Sequence, residues 1–229
     1  MSIRSHDTTT HLISSAVAEF SVLANALLAE KAQINVLLTG GTLGIEFIAG
    51  LAKLDLDWNR FWFKFSDERF VALDHPDRNE QQGLEVWPEL ESQLDRYSAD
   101  DIDLVRARGL EDQKLNGLFG PVDQASSIFD LTVLGLGPDA HIASLFPGRN
   151  QGGEWVIAEP DSPKPPSHRL SFSYGALNRS ERVWFLAAGD SKLNAVKQGL
   201  DQANGLPASR VRGLSETVWF LDREITDGL

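Results

Sequence analysis

The stretch from Phe129 to Gly148, FDLTVLGLGPDAHIASLFPG, decides how this 229-residue chain folds. Leu131, Val133, Leu134 and Leu136, with Thr132 between them, read as a strand covered on both faces, the habit of a central parallel strand. The strand stops at Gly135 and Gly137, and Pro138 and Asp139 turn the chain. In an open α/β sheet, ligands gather outside the carboxyl ends of the strands, so the first side chains past this strand line a site. His141 stands there. A histidine in that place suits proton transfer, because an unperturbed imidazole titrates near ~6.5.

Working outward, strands and helices alternate over most of the length. Ile13, Val17, Phe20, Leu23 and Leu27 recur at three and four, predicting a helix from Thr8 to Lys31 with one apolar face. Ile34 to Leu38 follows as a strand, closed by Thr39-Gly40-Gly41-Thr42, and helical spacing resumes from Leu43 to Leu54. Phe61 to Phe65 reads as the next strand, leading into the charged loop SDERFVALDHPDRN. Asn79 to Leu94 is expected to be helical, kinked or divided at Pro88. Residues 98–127 suggest only a short strand around Leu104-Val105 among breakers at Gly109, Gly117, Gly120 and Pro121. Trp155 to Ala158 and Leu170 to Phe172 read as strands flanking the proline-rich SPKPPSHR. Val183 to Ala187 is a buried strand, Ser191 to Leu200 a helix, and Thr217 to Leu221 a closing strand. The class is α/β, with a largely parallel sheet and right-handed crossovers.

The chain is long enough for one large α/β domain, and no Ser/Gly/Pro linker or internal repeat divides it. One domain spanning 1–229 is therefore expected. Its formal charge is −12, from 33 Asp and Glu against 21 Lys and Arg, which argues against a nucleic-acid or anionic membrane surface. An anionic ligand must then be held by a local cluster of positive groups. With no cysteine there are no disulfides, thiolate metal sites or cysteine catalysis. The opening MSIRSHDTTTH lacks an apolar core, so a soluble cytoplasmic protein is expected. Because every legible helical face is needed to cover the sheet, so is a monomer.

Four further features can carry chemistry. Backbone N–H groups at a glycine turn opening a helix attract anions, and Thr39 to Gly44 fits that design, although such turns also serve as plain connections. It matches neither the dinucleotide fingerprint nor the P-loop, which disfavours nucleotides. Asp67-Glu68-Arg69 directly follows a strand end, and Arg78-Asn79 closes the same loop. An ion-pair patch there contributes little, whereas the Arg69 fork suits a phosphate or carboxylate. Lys192 sits at the start of its helix, where a cation opposes the helix dipole and a bound anion offsets that. Arg169 follows a segment stiffened by proline. No pair of histidines has metal-ligand spacing, and no GxSxG elbow indicates a serine triad.

In this order and setting, LTGGTLG, SDER with DRN, the Asp130–Gly148 block, SPKPPSHR and the turn from Gly189 to Lys192 resemble the 6-phosphogluconolactonase family. The resemblance runs from about residue 36 to residue 221, and the Asp130–Gly148 block is its specific part. It implies a modified Rossmann-like α/β domain, shared with glucosamine-6-phosphate deaminases and ribose-5-phosphate isomerases. It further implies cofactor-free hydrolysis of 6-phospho-D-glucono-1,5-lactone to 6-phosphogluconate in the oxidative pentose phosphate pathway. On this chain His141 resembles the general base, and Asp67 the acidic loop residue that positions sugar hydroxyls or a basic neighbour. Gly40, Gly41 and Thr42 would meet the substrate, with Arg69, Arg78, Arg169 and Lys192 as positive groups around it. Two residues depart from the pattern: Ala140 and Ser66 stand where the family has glycine. The nearest rival is a phosphosugar isomerase or deaminase of the same fold. Deaminases carry a glutamate shortly after the histidine, and this chain has Ile142-Ala143-Ser144-Leu145-Phe146. A non-catalytic sugar-phosphate sensor is the other alternative, and the chain lacks the basic helix-turn-helix that a DNA-bound sensor needs.

Overall fold

A computed structural model describes residues 1–99, 101–122, 126–149 and 154–229. Six strands form one parallel sheet in the order β3-β2-β5-β8-β9-β1. They are β1 (Ser2–His6), β2 (Ile34–Leu38), β3 (Phe61–Phe65), β5 (Leu131–Gly135), β8 (Arg182–Ala187) and β9 (Glu216–Asp222). A smaller antiparallel sheet, β4-β7-β6, is built from β4 (Asp67–Arg69), β6 (Val156–Glu159) and β7 (Arg169–Phe172). Ser66 joins the two sheets: its N–H donates to Leu38 O at 2.7 Å and its carbonyl accepts from Phe172 N at 2.9 Å. From β2 the chain moves one way to β3, while β5 lies on the other side, so the strand order reverses between β2 and β5. Ligands sit at such a reversal, outside the carboxyl ends.

The first helix, α1 (Thr9–Glu30), begins where Thr8 Oγ1 accepts from His11 N. By length and composition it could cross a membrane, but its stripe of Leu12, Ile13, Ala16, Phe20, Ala24 and Leu27 is buried in the core. The glycine turn then opens α2 (Gly41–Leu51), which begins two residues earlier than the apolar spacing suggests. The helix expected up to Leu94 is divided as proline requires, into α3 (Asn79–Val86) and a short 3-10 turn, Pro88–Ser92. A single-turn α5 (Tyr174–Leu177) follows β7, and α6 (Leu193–Leu200) and α7 (Arg223–Thr226) complete the set.

Besides the short helices α5 and α7, which no apolar spacing announced, three elements depart from the sequence expectation. The polar opening forms β1, an edge strand paired in parallel with β9. The charged DER triplet forms β4. The suggested strand at Leu104-Val105 is instead the first turn of a 16-residue helix, α4 (Leu104–Phe119), started by Asp103 accepting from Arg106 N at 2.9 Å. Its buried residues, Ala107, Glu111 and Leu115, include a carboxylate at the centre of the core face. Glu111 is held at 3.0 Å by Lys64, a fully buried lysine that also lies 3.1 Å from Asp95. That charged anchor broke the apolar period, and the two glycines hid the helix further. Parts of the illegible 98–127 segment, residue 100 and residues 123–125, lie outside the described residues.

A Cβ added at Gly109 or Gly117 meets nothing within 4 Å, and both lie inside α4. Replacing a helical glycine by alanine removes chain entropy from the unfolded state, so Gly117→Ala should raise unfolding stability by about 0.5–1 kcal/mol. Denaturant melts of the variant beside wild type check this.

Candidate active site

The carboxyl ends of β2 and β5 are tied directly, by the Gly135 N–H donating to Thr39 Oγ1 at 3.1 Å. Above them opens a cleft of about 490 Å³. On one side it is lined by Thr39, Gly40 and Gly41, where α2 begins without any side-chain cap. The free N–H groups of that first turn, with the positive end of the helix dipole, attract an anion. Gly41 has φ +75°, a conformation that L side chains rarely adopt.

On the other side lies the segment after β5. Gly137 N–H donates to the His141 carbonyl at 2.8 Å, closing the turn. The imidazole lies back over Gly137: a Cβ there would stand 2.0 Å from His141 Nδ1. Asp139 Oδ1 is 2.5 Å from Nδ1, and the Phe146 ring centroid is 4.8 Å from that of the imidazole. Burial works to raise the Asp139 carboxyl, but the hydrogen bond and charge of His141 outweigh it and hold it below the ordinary carboxylate range. An ionised carboxylate at Nδ1 accepts a hydrogen bond from Nδ1–H, which leaves the lone pair on Nε2. Asp139, read from sequence only as a turn residue, is thereby the imidazole's orienting partner. Its spacing, two residues before His141, was the available signal.

Asp67 lines the cleft from β4, accepting from Ser144 Oγ at 2.6 Å. The tight turn from Ile142 to Leu145, with Ala143 at φ +47°, brings Ser144 to it. Arg69 and Arg169 stand directly opposite each other across β4 and β7. Like charges in that relation repel. Arg69 Nη1 donates to the Asp77 carbonyl, while Arg169 donates through Nε to Pro166 O at 2.7 Å and through Nη2 to Lys164 O at 3.0 Å. Burial lowers the Arg169 pKa, Asp67 opposes that and Arg69 adds to it. Lys192 precedes α6 and donates to Leu136 O at 2.8 Å; burial and the nearby Lys164 lower it, against Asp139. Lys164, which the sequence reading did not single out, joins the lining, as do Asn79, Ser144 and Ser162. Four cationic side chains, Arg69, Lys164, Arg169 and Lys192, thus face two carboxylates, Asp67 and Asp139, among the described residues lining this cleft of an acidic chain.

This arrangement sits at the strand-order reversal, with a carboxylate-oriented histidine facing a cationic, amide-lined pocket. Residues 7–219 match the family described as glucosamine-6-phosphate isomerases/6-phosphogluconolactonase. The chain belongs to this family. The 6-phosphogluconolactonase of Streptomyces coelicolor is 35% identical over 212 residues, covering 85% of this chain and 81% of that protein. That of Mycobacterium leprae is 31% identical over 221 residues, covering 89% and 88%. The crystal structure of the 6-phosphogluconolactonase of Thermotoga maritima superposes with a TM-score of 0.86 at 28% identity, over 97% of this chain and 100% of that one.

Within this family fold, two expected contacts are not brought to the cleft. Arg78 is fully buried beneath it, paired with Glu80 at 2.6 Å and donating to Val71 O and Tyr97 O at 3.0 Å each. It supports the loop from below, because burying a guanidinium demands that its donors be matched. Thr42 is exposed on α2, one residue beyond the lining. Ala140 does occupy the left-handed conformation that favours glycine, at φ +63°, and it is fully buried.

For Ala140→Gly, relief of the left-handed strain, about 1–2 kcal/mol, is set against lost methyl burial of about 0.8 kcal/mol and added chain entropy. Stability should change by less than about 1 kcal/mol, and steady-state turnover should stay within a few-fold of wild type. Gly137→Ala, by contrast, pushes the imidazole off its carboxylate. A misplacement on the order of 1 Å costs about 100-fold in rate, measurable in the same assay, with melting temperature recorded as the control for folding.

Proposed function

We propose that this chain hydrolyses 6-phospho-D-glucono-1,5-lactone to 6-phosphogluconate, with His141 as general base. The observation that carries the reading is the Asp139–His141 pair standing at the mouth of a cationic cleft at the strand-order reversal. His141 Nε2 takes a proton from water as the oxygen of that water bonds to the lactone carbonyl carbon. The tetrahedral adduct then expels the ring oxygen, which receives the proton from the imidazolium, and the carboxylic acid formed loses its own proton to solvent. Asp139 stabilises the imidazolium between these steps. The phosphate is received by the Gly40–Gly41 amides with Arg169, Lys192 and Lys164. Arg69, whose Nε is buried without a hydrogen-bond partner among the described residues, and Asp67 orient the sugar acid. No step requires a metal or a cofactor.

The deaminase alternative needs a further acid near the histidine for ring opening. The described lining offers Asp67 and Asp139 alone, and Asp139 is engaged by His141. The same reading has the chain acting as one domain, as a monomer and in the cytoplasm. A hydrodynamic mass near twice that of the chain, constant with concentration, would overturn the monomer.

The test compares hydrolysis of freshly generated 6-phosphogluconolactone with its spontaneous rate, for wild type and His141→Ala together. General-base catalysis contributes about 10²–10⁴-fold, so the acceleration seen in wild type should fall by at least about 100-fold in the variant. Equal acceleration in both removes His141 as the base. No acceleration in either favours a sugar-phosphate sensor.

A further inference from the structure

Asn79 ties together parts of the cleft that the proposed reaction uses separately. It opens α3 and is 1% exposed, yet reaches the cleft wall. Its Nδ2 donates to the Asp67 carbonyl at 2.7 Å, and its backbone N–H donates to Glu68 Oε1 at 2.7 Å. On the far side the amide presses on the glycine turn: a Cβ on Gly40 would stand 1.9 Å from Asn79 Oδ1 and 2.4 Å from Cγ. Gly40 itself has φ −81°, which other residues adopt freely. It is glycine because Asn79 occupies the place where its side chain would be. Asn79 Oδ1, finally, is buried without a hydrogen-bond partner among the described residues. Buried acceptors are nearly always paired, and a lone one kept beside a reactive cleft is a cost that stability alone does not explain.

We propose that Asn79 is a positioning residue that sets the phosphate-binding Gly40–Gly41 amides at a fixed distance from Asp67 and its strand. The inference rests on the hydrolase reading, because it treats those two segments as the ends of one substrate site. Asn79 acts through both neighbours and not on the scissile bond itself. Its carboxamide is suited to the task. The NH2 group grips the Asp67 carbonyl, the planar carbonyl group fits against a bare Cα, and the lack of charge leaves the anion site undisturbed.

The experiment is a double-mutant cycle on Gly40→Ala and Asn79→Ser, with Asn79→Asp as an isosteric control that lacks the donor to Asp67. Each protein is measured for kcat and KM on the lactone, for Kd of 6-phosphogluconate by calorimetry, and for melting temperature. Gly40→Ala alone should lose about 100-fold in kcat/KM, as a displacement on the order of 1 Å does, and bind product more weakly. In the double variant the shorter serine vacates the space, and at least about tenfold of that loss should return, the non-additivity expected of residues in contact. Asn79→Asp should lose about tenfold or more and raise the product Kd, through the absent donor and the added charge. A merely structural role would lower the melting temperature and leave kcat, KM and Kd of the folded protein in place. That result, or an additive cycle, overturns the inference. Wild type that binds 6-phosphogluconate without accelerating hydrolysis overturns the proposed reaction only, and the coupling is then read from Kd. Wild type that does neither overturns both.

Discussion

The hydrogen bond from the Gly135 amide to Thr39 Oγ1 holds the carboxyl ends of β2 and β5 side by side, and the cleft is built on that pair of ends. At this point the two chains part, one into the glycine turn of α2 and the other into the His141 loop. Parallel strands need crossovers on the sheet faces, so nothing from the sheet itself can fill the gap where consecutive crossovers leave in opposite directions. Amides from one chain and an imidazole from the other therefore face the same space without either loop having to be long. The tightness of the second loop explains its sequence: Gly137 makes room for the ring, and Ala140 accepts a left-handed backbone so that His141 can turn back over it.

In a chain of charge −12, four cationic side chains are concentrated at one cleft, and the concentration has a structural cost. Arg69 and Arg169 oppose each other across β4 and β7, and Lys164 lies close enough to Lys192 to lower it. Neither arrangement would be selected for stability. Carbonyls of the Asp77 turn and of the proline-rich segment take up part of the cost, accepting from the two guanidiniums and fixing them in place. In the proposed reaction a negative ligand would relieve repulsion already present in the cleft.

Beneath the cleft a second polar layer carries the loop between β4 and α3. Glu68 accepts from the amides of Arg69, Asn79 and Glu80, so that one carboxylate closes both ends of the loop. Burial and the neighbouring Glu80 push that carboxyl up to about 8, against Arg78 and the backbone donors. Arg78 and Glu80 fill the interior of the loop and connect it to Tyr97. The sequence offered Arg78 as a ligand for the substrate because a loop arginine near a strand end has that chemistry. Its burial followed from Glu80 and two carbonyls, partners that no local pattern reveals. The same kind of tertiary partner concealed α4, whose core face is centred on Glu111 and held by Lys64 from β3.

What the sequence determined by itself was the alternation of strands and helices, because apolar periodicity is set by each segment's own geometry. It also determined the class of site, because in a parallel sheet the residues just past each strand must lie at one edge. His141, Gly40, Gly41, Asp67, Arg69 and Lys192 line the cleft as that reading expects, and Arg169, from the smaller antiparallel sheet, joins them there. Tertiary structure alone decided that β1 and β4 are strands, since a polar or three-residue segment becomes one only when a partner supplies its hydrogen bonds. It also decided that Asp139 holds the imidazole, that Lys164 joins the cations and that Asn79 fills the place of a Gly40 side chain. Each of these depends on a distance between segments, which the spacing of residues along one chain does not contain.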